Sequence, residues 1–202
     1  MTIKIIVFDF DGTLIDSNRL KYNAFFEVFP DDDRHVGTIR EVLADLNEQS
    51  RFVILAEILR RLDRPQGSGL QAETARLADR YDDIVLSGAK MCPPMPAAES
   101  VLRALSRQYR LYLSSTTPDA ELKEIVRFRN WHAHFEGVYG YPHQKPATLR
   151  SIMERENANA KQLVVVGDGN SDRQSAKENA CFFVQVTEKF DLRNLDGIIA
   201  AL

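Results

Sequence analysis

Little in the sequence is typical of secreted or nucleic-acid-binding proteins. Only two of its 202 residues are cysteines, and Cys92 and Cys181 are too far apart to match a metal-binding or redox motif. So few cysteines suit the reducing cytosol. The formal net charge is only −3, which gives no reason to expect a nucleic acid or an anionic membrane as partner.

Long hydrophobic runs are missing as well. The apolar stretch at residues 3–8 is far too short to span a membrane, and acidic residues rather than a cleavage site follow it. We therefore expect no signal peptide and a cytoplasmic protein. The hydrophobic fraction of 44% is ordinary for a globular chain. The length fits one compact domain, or a core domain with a modest insertion.

Alternating strand and helix patterns predict an α/β fold. Short β-branched, apolar segments predict strands at residues 4–8, 111–114, 137–139, 163–166 and 182–186. Helical patterns lie at residues 97–107, 118–129, 146–156 and 171–179. This alternation is typical of a Rossmann-like, doubly wound parallel sheet with helices on its faces.

Residues 18–90 interrupt this alternation with amphipathic helix alone. Three sets of apolar residues each fall on one helical face. The first set is residues 39, 42, 43 and 46. The second is residues 52, 55, 56, 59 and 62, and the third is residues 77, 78, 81 and 85. The sequence therefore predicts a core domain of residues 1–17 and 91–202 with a helical insertion at residues 18–90.

Two carboxylates follow the first predicted strand. Asp9 and Asp11 project to the same side because side chains alternate along a strand, and Gly12 permits a tight turn after them. Two carboxylates this close oppose each other's ionisation unless a cation or a shared proton intervenes. Mg²⁺ prefers such oxygen ligands. A solvent-exposed Asp-Gly turn remains the alternative.

A second acidic pair follows the strand predicted at residues 163–166. Asp168 lies at the end of that strand, where α/β sheets bind ligands. Asp172 falls in the first turn of the next predicted helix, where the helix dipole favours a carboxylate. Helix capping alone is an alternative explanation for Asp172 but not for Asp168.

Hydroxyl groups and a lysine mark two further strand ends. The strand at residues 111–114 leads to Ser114 and Ser115, and Thr117 is predicted to cap the next helix, with Pro118 at its first position. Hydroxyls and free N–H groups at a helix start can bind phosphate. Lys145 precedes a helix-opening proline and could lie at the same edge, although a lysine there is usually a surface residue.

These four elements, in this order, resemble the motifs of the haloacid dehalogenase-like superfamily. The first motif, Asp-x-Asp-Gly-Thr, matches residues 9–13, and the last, Gly-Asp-x-x-x-Asp, matches residues 167–172. Ser115 matches the hydroxyl motif, with Ser114 as the other candidate, and Lys145 matches the lysine. The resemblance is to phosphatase members with a small α-helical cap, similar to phosphoglycolate phosphatase and β-phosphoglucomutase-like groups, and the cap corresponds to residues 18–90.

The resemblance implies a phosphatase mechanism. Asp9 would attack phosphorus and form an aspartyl-phosphate, and Asp11 would act as general acid and then as general base. Mg²⁺ would be held by Asp9, by the backbone carbonyl of Asp11 and by Asp168, with Asp172 supporting these ligands. The residues expected to bind the phosphoryl group are Thr13, Ser115, Thr116 and Lys145.

The substrate implied by the resemblance is a small phosphorylated metabolite, bound by a monomer or a homodimer. Candidate specificity residues are Asn18, Arg19 and Tyr22 at the start of the cap, and His143 near the lysine motif. A phosphomutase of the β-phosphoglucomutase type would share every core residue and remains the alternative. A non-catalytic, phosphate-binding regulatory module, such as a receiver domain, is a more distant alternative. Receiver domains carry their acidic residues before the hydroxyl and the lysine, whereas Asp168 and Asp172 follow Lys145 in this sequence.

Overall fold

The computed structural model describes residues 2–46, 49–62, 67–187 and 189–202. The chain forms two compact units, one of residues Met1–Ser17 and Cys92–Leu202 and one of residues Asn18–Met91. Each is described by itself. Among the described residues, no helix has both the length and the hydropathy that crossing a membrane requires.

The first unit is built on a parallel five-stranded sheet. Its strands are β1 (Ile5–Phe8), β2 (Arg110–Pro118), β3 (Gly137–Tyr141), β4 (Leu163–Gly167) and β5 (Phe182–Gln185). Their spatial order is β3-β2-β1-β4-β5, so β1 lies at the centre between β2 and β4. The prediction of a Rossmann-like parallel α/β sheet is confirmed.

Helices connect these strands. They are, in chain order, α5 (Ala98–Leu105), α6 (Asp119–Phe128), α7 (Lys145–Arg155), α8 (Asn170–Glu178) and α9 (Leu195–Ala200), the labels α1 to α4 belonging to the second unit. Ile5 and Val7 of β1 pack in one buried cluster with Leu149 of α7 and Ala176 of α8. Phe8 points to the opposite face and is also fully buried. Both faces of the sheet are therefore covered, as its β-branched strands require.

The second unit consists of four helices in its described residues. They are α1 (Asn18–Glu27), α2 (Asp33–Leu46), α3 (Arg51–Arg61) and α4 (Ser68–Ala89). The predicted apolar faces supply most of its core, including Ile39, Leu55 and Leu77. Phe52 is an exception. It is 46% exposed because it lies at the edge of the α3 stripe, and the Arg51 guanidinium covers its ring at 4.7 Å.

Gly140 in β3 has no room for a side chain, and this gives a stability prediction. A Cβ there would lie 2.5 Å from Asp119 Cα and 2.5 Å from the Thr117 carbonyl oxygen, which are backbone atoms. Gly140→Ala should lower the free energy of unfolding by about 1–3 kcal/mol, measured by urea denaturation. In the control Gly37→Ala, on α2, a Cβ meets nothing within 4 Å. The control should gain about 0.5–1 kcal/mol from helix propensity, and equal effects in both variants would contradict the prediction.

Candidate active site

The carboxyl ends of β1 and β4 bring the first acidic residues together. Asp9 follows β1 directly, and its N–H donates to the Val166 carbonyl on β4 at 2.8 Å. A tight turn comes next, in which Gly12 has a φ of 71°, a conformation that glycine adopts without strain. Asp9 and Asp11 are each only 7% exposed. The alternative of a solvent-exposed turn is therefore wrong.

Lys145 lies between two of the carboxylates. Its Nζ is 2.9 Å from Asp9 Oδ1 and 2.7 Å from Asp172 Oδ1, and its side chain is 7% exposed. Burial by itself lowers the pKa of the ammonium, but the charges of Asp9 and Asp172 outweigh it and raise that pKa above its ordinary value. Lys145 is therefore a buried cation that orients two carboxylates, and the surface-lysine alternative is wrong.

Asp9, Asp168 and Asp172 form an acidic cluster. Each offers an oxygen, and these oxygens lie within 4.8 Å of one another. Thr13, which is fully buried, donates to Asp168 Oδ1 at 3.4 Å. Asp172 Oδ2 is buried and has no hydrogen-bond partner among the residues that the structure describes.

One ammonium cannot neutralise three carboxylates, and the pKa values reflect this. Burial and the charge of Asp9 raise the pKa of Asp172 to about 7, although Lys145 acts in the opposite direction. The ion pairs raise the pKa of Lys145, whereas burial first and the negative charge of Asp9 second raise the pKa of Asp172. A hard divalent cation would supply the missing positive charge, and an all-oxygen donor set with an unpartnered carboxylate oxygen fits such an ion.

Asp11 accepts hydrogen bonds from hydroxyl groups. Ser17 Oγ donates to Asp11 Oδ1 at 2.6 Å, and Thr117 Oγ1 donates to Oδ2 at 2.7 Å. Ser115 Oγ lies farther away, 3.4 Å from Oδ2. The two aspartates of the Asp-x-Asp motif therefore have different partners, an ammonium for Asp9 and hydroxyls for Asp11.

The role predicted for Thr117 as a helix cap is wrong. β2 continues to Pro118, which pairs with Tyr141 of β3, and α6 begins only at Asp119. Residues 115 and 117 then project to the same side of an extended strand, which brings both hydroxyls to Asp11. Had β2 been predicted to its full length, this alternation would have pointed to Thr117. Ser17 carries no comparable signal in the sequence.

The remaining hydroxyl candidates lie elsewhere. Ser114 points to the other side of β2, and its buried Oγ has no hydrogen-bond partner within the described part of the chain. The structure thus brings Ser115, rather than Ser114, to the acidic residues. Thr116 is exposed at the same strand end.

The candidate specificity residues are all exposed. Asn18, Arg19 and Tyr22 lie on α1 in the second unit, where the Tyr22 ring is 5.3 Å from that of Phe26. His143 presents the edge of its ring to Tyr139 at 5.6 Å between centroids. Their side chains are therefore available to solvent in the structure described.

Comparison with known proteins decides the family. Residues 6–186 match the family model described as haloacid dehalogenase-like hydrolase. The chain belongs to the haloacid dehalogenase-like hydrolases. Membership confirms the resemblance carried by the motifs, and with it the prediction of a hydrolase.

The relatives of this hydrolase agree with that assignment. A phosphoglycolate phosphatase from Psychrobacter arcticus is 28% identical over 183 residues, which cover 85% of this chain and 78% of that protein. The corresponding enzyme of Vibrio cholerae is 26% identical over 204 residues, covering 92% and 85%.

Solved structures share the fold. A haloacid dehalogenase-like hydrolase from Streptococcus pneumoniae matches with a TM-score of 0.71 at 23% identity, covering 95% of this chain and 90% of that one. A hydrolase of the same type from Bacillus subtilis, solved with magnesium bound, matches with a TM-score of 0.74 at 15% identity over 98% and 99% of the two chains. At these identities the likeness concerns the fold alone.

Proposed function

We propose that this protein is a magnesium-dependent phosphatase that hydrolyses a small phosphorylated metabolite through an aspartyl-phosphate on Asp9. The observation that carries the proposal is the different environment of the two motif aspartates. Asp9 is paired with the Lys145 ammonium at 2.9 Å, whereas Asp11 is bound by hydroxyl groups. An ammonium can only donate hydrogen bonds and so suits a carboxylate that acts as a nucleophile, whereas hydroxyls can serve a group that gains and loses a proton.

The reaction has two steps that balance. A carboxylate oxygen of Asp9 forms a bond to phosphorus while the bond from phosphorus to the leaving oxygen breaks, and protonated Asp11 gives its proton to that oxygen. Asp11 then takes a proton from water, whose oxygen attacks phosphorus. The bond from phosphorus to Asp9 breaks, which releases inorganic phosphate and restores both aspartates.

Lys145 and Ser115 support this chemistry by binding the phosphoryl oxygens. Ser115, on β2, lies beside Asp11, and Lys145 lies beside Asp9. Ser115 and Lys145 would therefore flank the position at which phosphorus is attacked. Their charge and hydrogen bonds would stabilise the transferring group. Thr13 and Thr116 remain predicted phosphate ligands.

The acidic cluster fits a divalent cation. Asp9 and Asp168, with the backbone carbonyl of Asp11, would hold magnesium, and Asp172 would support them through its ion pair with Lys145. Bound magnesium would neutralise charge on the phosphoryl oxygens and on the cluster. Lys145 would keep Asp172 in place and would leave the remaining carboxylate oxygens for the cation.

Magnesium should stabilise the protein more at higher pH. The folded-state pKa of Asp172 is about 7, above its value in the unfolded chain, so the folded state binds more protons between these two values. In chelator, the free energy of unfolding should therefore fall as the pH rises from about 5 to about 7. The rise in melting temperature on adding magnesium should grow over the same range, because a cation bound beside Asp172 favours the deprotonated form of that carboxyl group.

Thermal unfolding with and without magnesium at both pH values tests this expectation. Asp172→Asn is the matched control, since it keeps the shape of the side chain and cannot titrate. A magnesium effect that is independent of pH in the unsubstituted protein would contradict the prediction.

Phosphoglycolate is the first substrate to test, because the related proteins of Psychrobacter and Vibrio carry that name. Phosphate release should be measured for phosphoglycolate, a sugar phosphate and an aryl phosphate, each with magnesium and with chelator. Metal-dependent release from any of them supports the phosphatase. A long-lived phosphoenzyme together with a requirement for a bisphosphate primer would favour the mutase instead. No release and no phosphoenzyme would refute the proposal.

The remaining assignments are predictions within this proposal. Residues 18–90 would act as the cap that covers the substrate, and Asn18, Arg19, Tyr22 and His143 would contribute to its choice of substrate. The enzyme would work in the cytoplasm as a monomer or a homodimer. Substitution of these four residues should change relative rates among substrates rather than abolish turnover.

A further inference from the structure

Each carboxylate oxygen of Asp11 accepts a hydrogen bond from a hydroxyl group, and the two hydroxyls come from different segments of the chain. Ser17 comes from the segment after the motif turn and Thr117 from the end of β2, at 2.6 Å and 2.7 Å. Ser17 is fully buried. Rotation of the carboxylate would break both short hydrogen bonds, so the two hydroxyls fix its plane.

The hydroxyls of Thr117 and Ser115 have different hydrogen-bond partners. Each hydroxyl has one proton to donate. Thr117 gives the short bond to Asp11 Oδ2, whereas Ser115 Oγ lies 3.4 Å from that oxygen and accepts the N–H of Thr117 at 3.1 Å. Thr117 therefore satisfies Asp11 Oδ2, and the proton of Ser115 can be donated to a phosphoryl oxygen.

Hydroxyls suit a carboxyl group that changes its protonation state during the reaction. A hydroxyl donates to a carboxylate and can turn to accept from a carboxylic acid, whereas an ammonium can only donate. Asp9, which has to remain a carboxylate until it attacks, has the ammonium of Lys145. Asp11, which has to hold and release a proton, has Ser17 and Thr117.

We propose that Thr117 and Ser17 are positioning residues that orient Asp11 for proton transfer to the leaving oxygen. The inference rests on the proposed phosphatase function. A positioned acid matters most when the leaving group is a poor one, because an alkoxide needs the proton and a phenolate of low pKa does not. Loss of either hydroxyl should therefore lower kcat/KM more for an ester with a poor leaving group than for one with a good leaving group.

The test compares Thr117→Val with the unsubstituted enzyme on two esters. Valine keeps the shape of threonine and removes its hydroxyl. For an alkyl phosphate, kcat/KM should fall about 100-fold, which is a typical share of general acid catalysis. For 2,4-dinitrophenyl phosphate it should fall by less than about 10-fold. The quantity kcat/KM is chosen because it reports the steps up to departure of the leaving group, whichever later step limits kcat.

Three further variants make the test specific. Thr117→Ser restores a hydroxyl and should recover most of the rate with the alkyl ester. Ser17→Ala should show the same unequal loss. Thr38→Val, on α2, removes a hydroxyl that donates to the Arg34 carbonyl, and it should leave both rates unchanged.

The outcomes separate this inference from the proposed function. Equal losses on both esters, no loss, or failure of Thr117→Ser to restore the rate would overturn the positioning role. The proposed phosphatase function would still stand in each case, provided that the wild-type enzyme is active. A wild-type enzyme that hydrolyses neither ester, releases no phosphate from phosphoglycolate and forms no phosphoenzyme would refute the phosphatase and the inference with it. If circular dichroism shows that Thr117→Val does not fold, Ser17→Ala is judged by the same ratio of rates.

Discussion

Replacement of Asp9 by asparagine is expected to abolish turnover of every phosphate ester while the protein stays folded. An amide cannot form the aspartyl-phosphate, and loss of a covalent nucleophile costs at least about 10⁴-fold in kcat. The amide oxygen can still accept the hydrogen bond from Lys145.

Asp16→Asn provides the matched control for this experiment. Asp16 lies seven positions after Asp9 and is exposed. Its substitution should therefore leave the rate and the melting temperature nearly unchanged. Phosphate release and thermal unfolding should be measured for both variants in parallel. Retention of more than about a tenth of wild-type kcat in Asp9→Asn would argue against the covalent route.

Removal of the buried ammonium should have the largest effect on stability. Lys145→Met keeps the length of the side chain and leaves the carboxylates of Asp9 and Asp172 without their common partner. Breaking a buried ion pair from one side typically costs about 3–5 kcal/mol. Urea unfolding in chelator should show that loss, and magnesium should recover part of it by supplying positive charge.

The same variant should also lose activity by about 10²–10³-fold, as expected when one donor to the transferring group is removed. Lys177→Met is the control, since Lys177 is an exposed residue near the end of α8, and its change in unfolding free energy should stay within about 0.5 kcal/mol. A Lys145→Met protein as stable as the wild type in chelator would show that the ammonium does not balance the buried carboxylates.

Local sequence patterns were sufficient to predict most of the fold. The five strands of the sheet were each predicted, because short, apolar segments that alternate with helical patterns indicate buried strands. The end of β2 was missed. β2 continues from Ser114 to Pro118 past an irregularity in its pairing with β3. That extension depends on a strand about twenty residues away, and no local preference near Thr117 indicates it.

By itself the sequence determined the family and the acidic residues at the strand ends. Asp9, Asp11 and Asp168 follow apolar strands, and the edge at which parallel strands end is common to all of them. Only the tertiary structure decided which groups partner these carboxylates. Thr117 reaches Asp11 across 106 positions of sequence, and Lys145 is buried between two aspartates although a lysine before a proline is usually exposed. Such pairings depend on how distant segments pack, and packing is a property of the whole fold rather than of any segment.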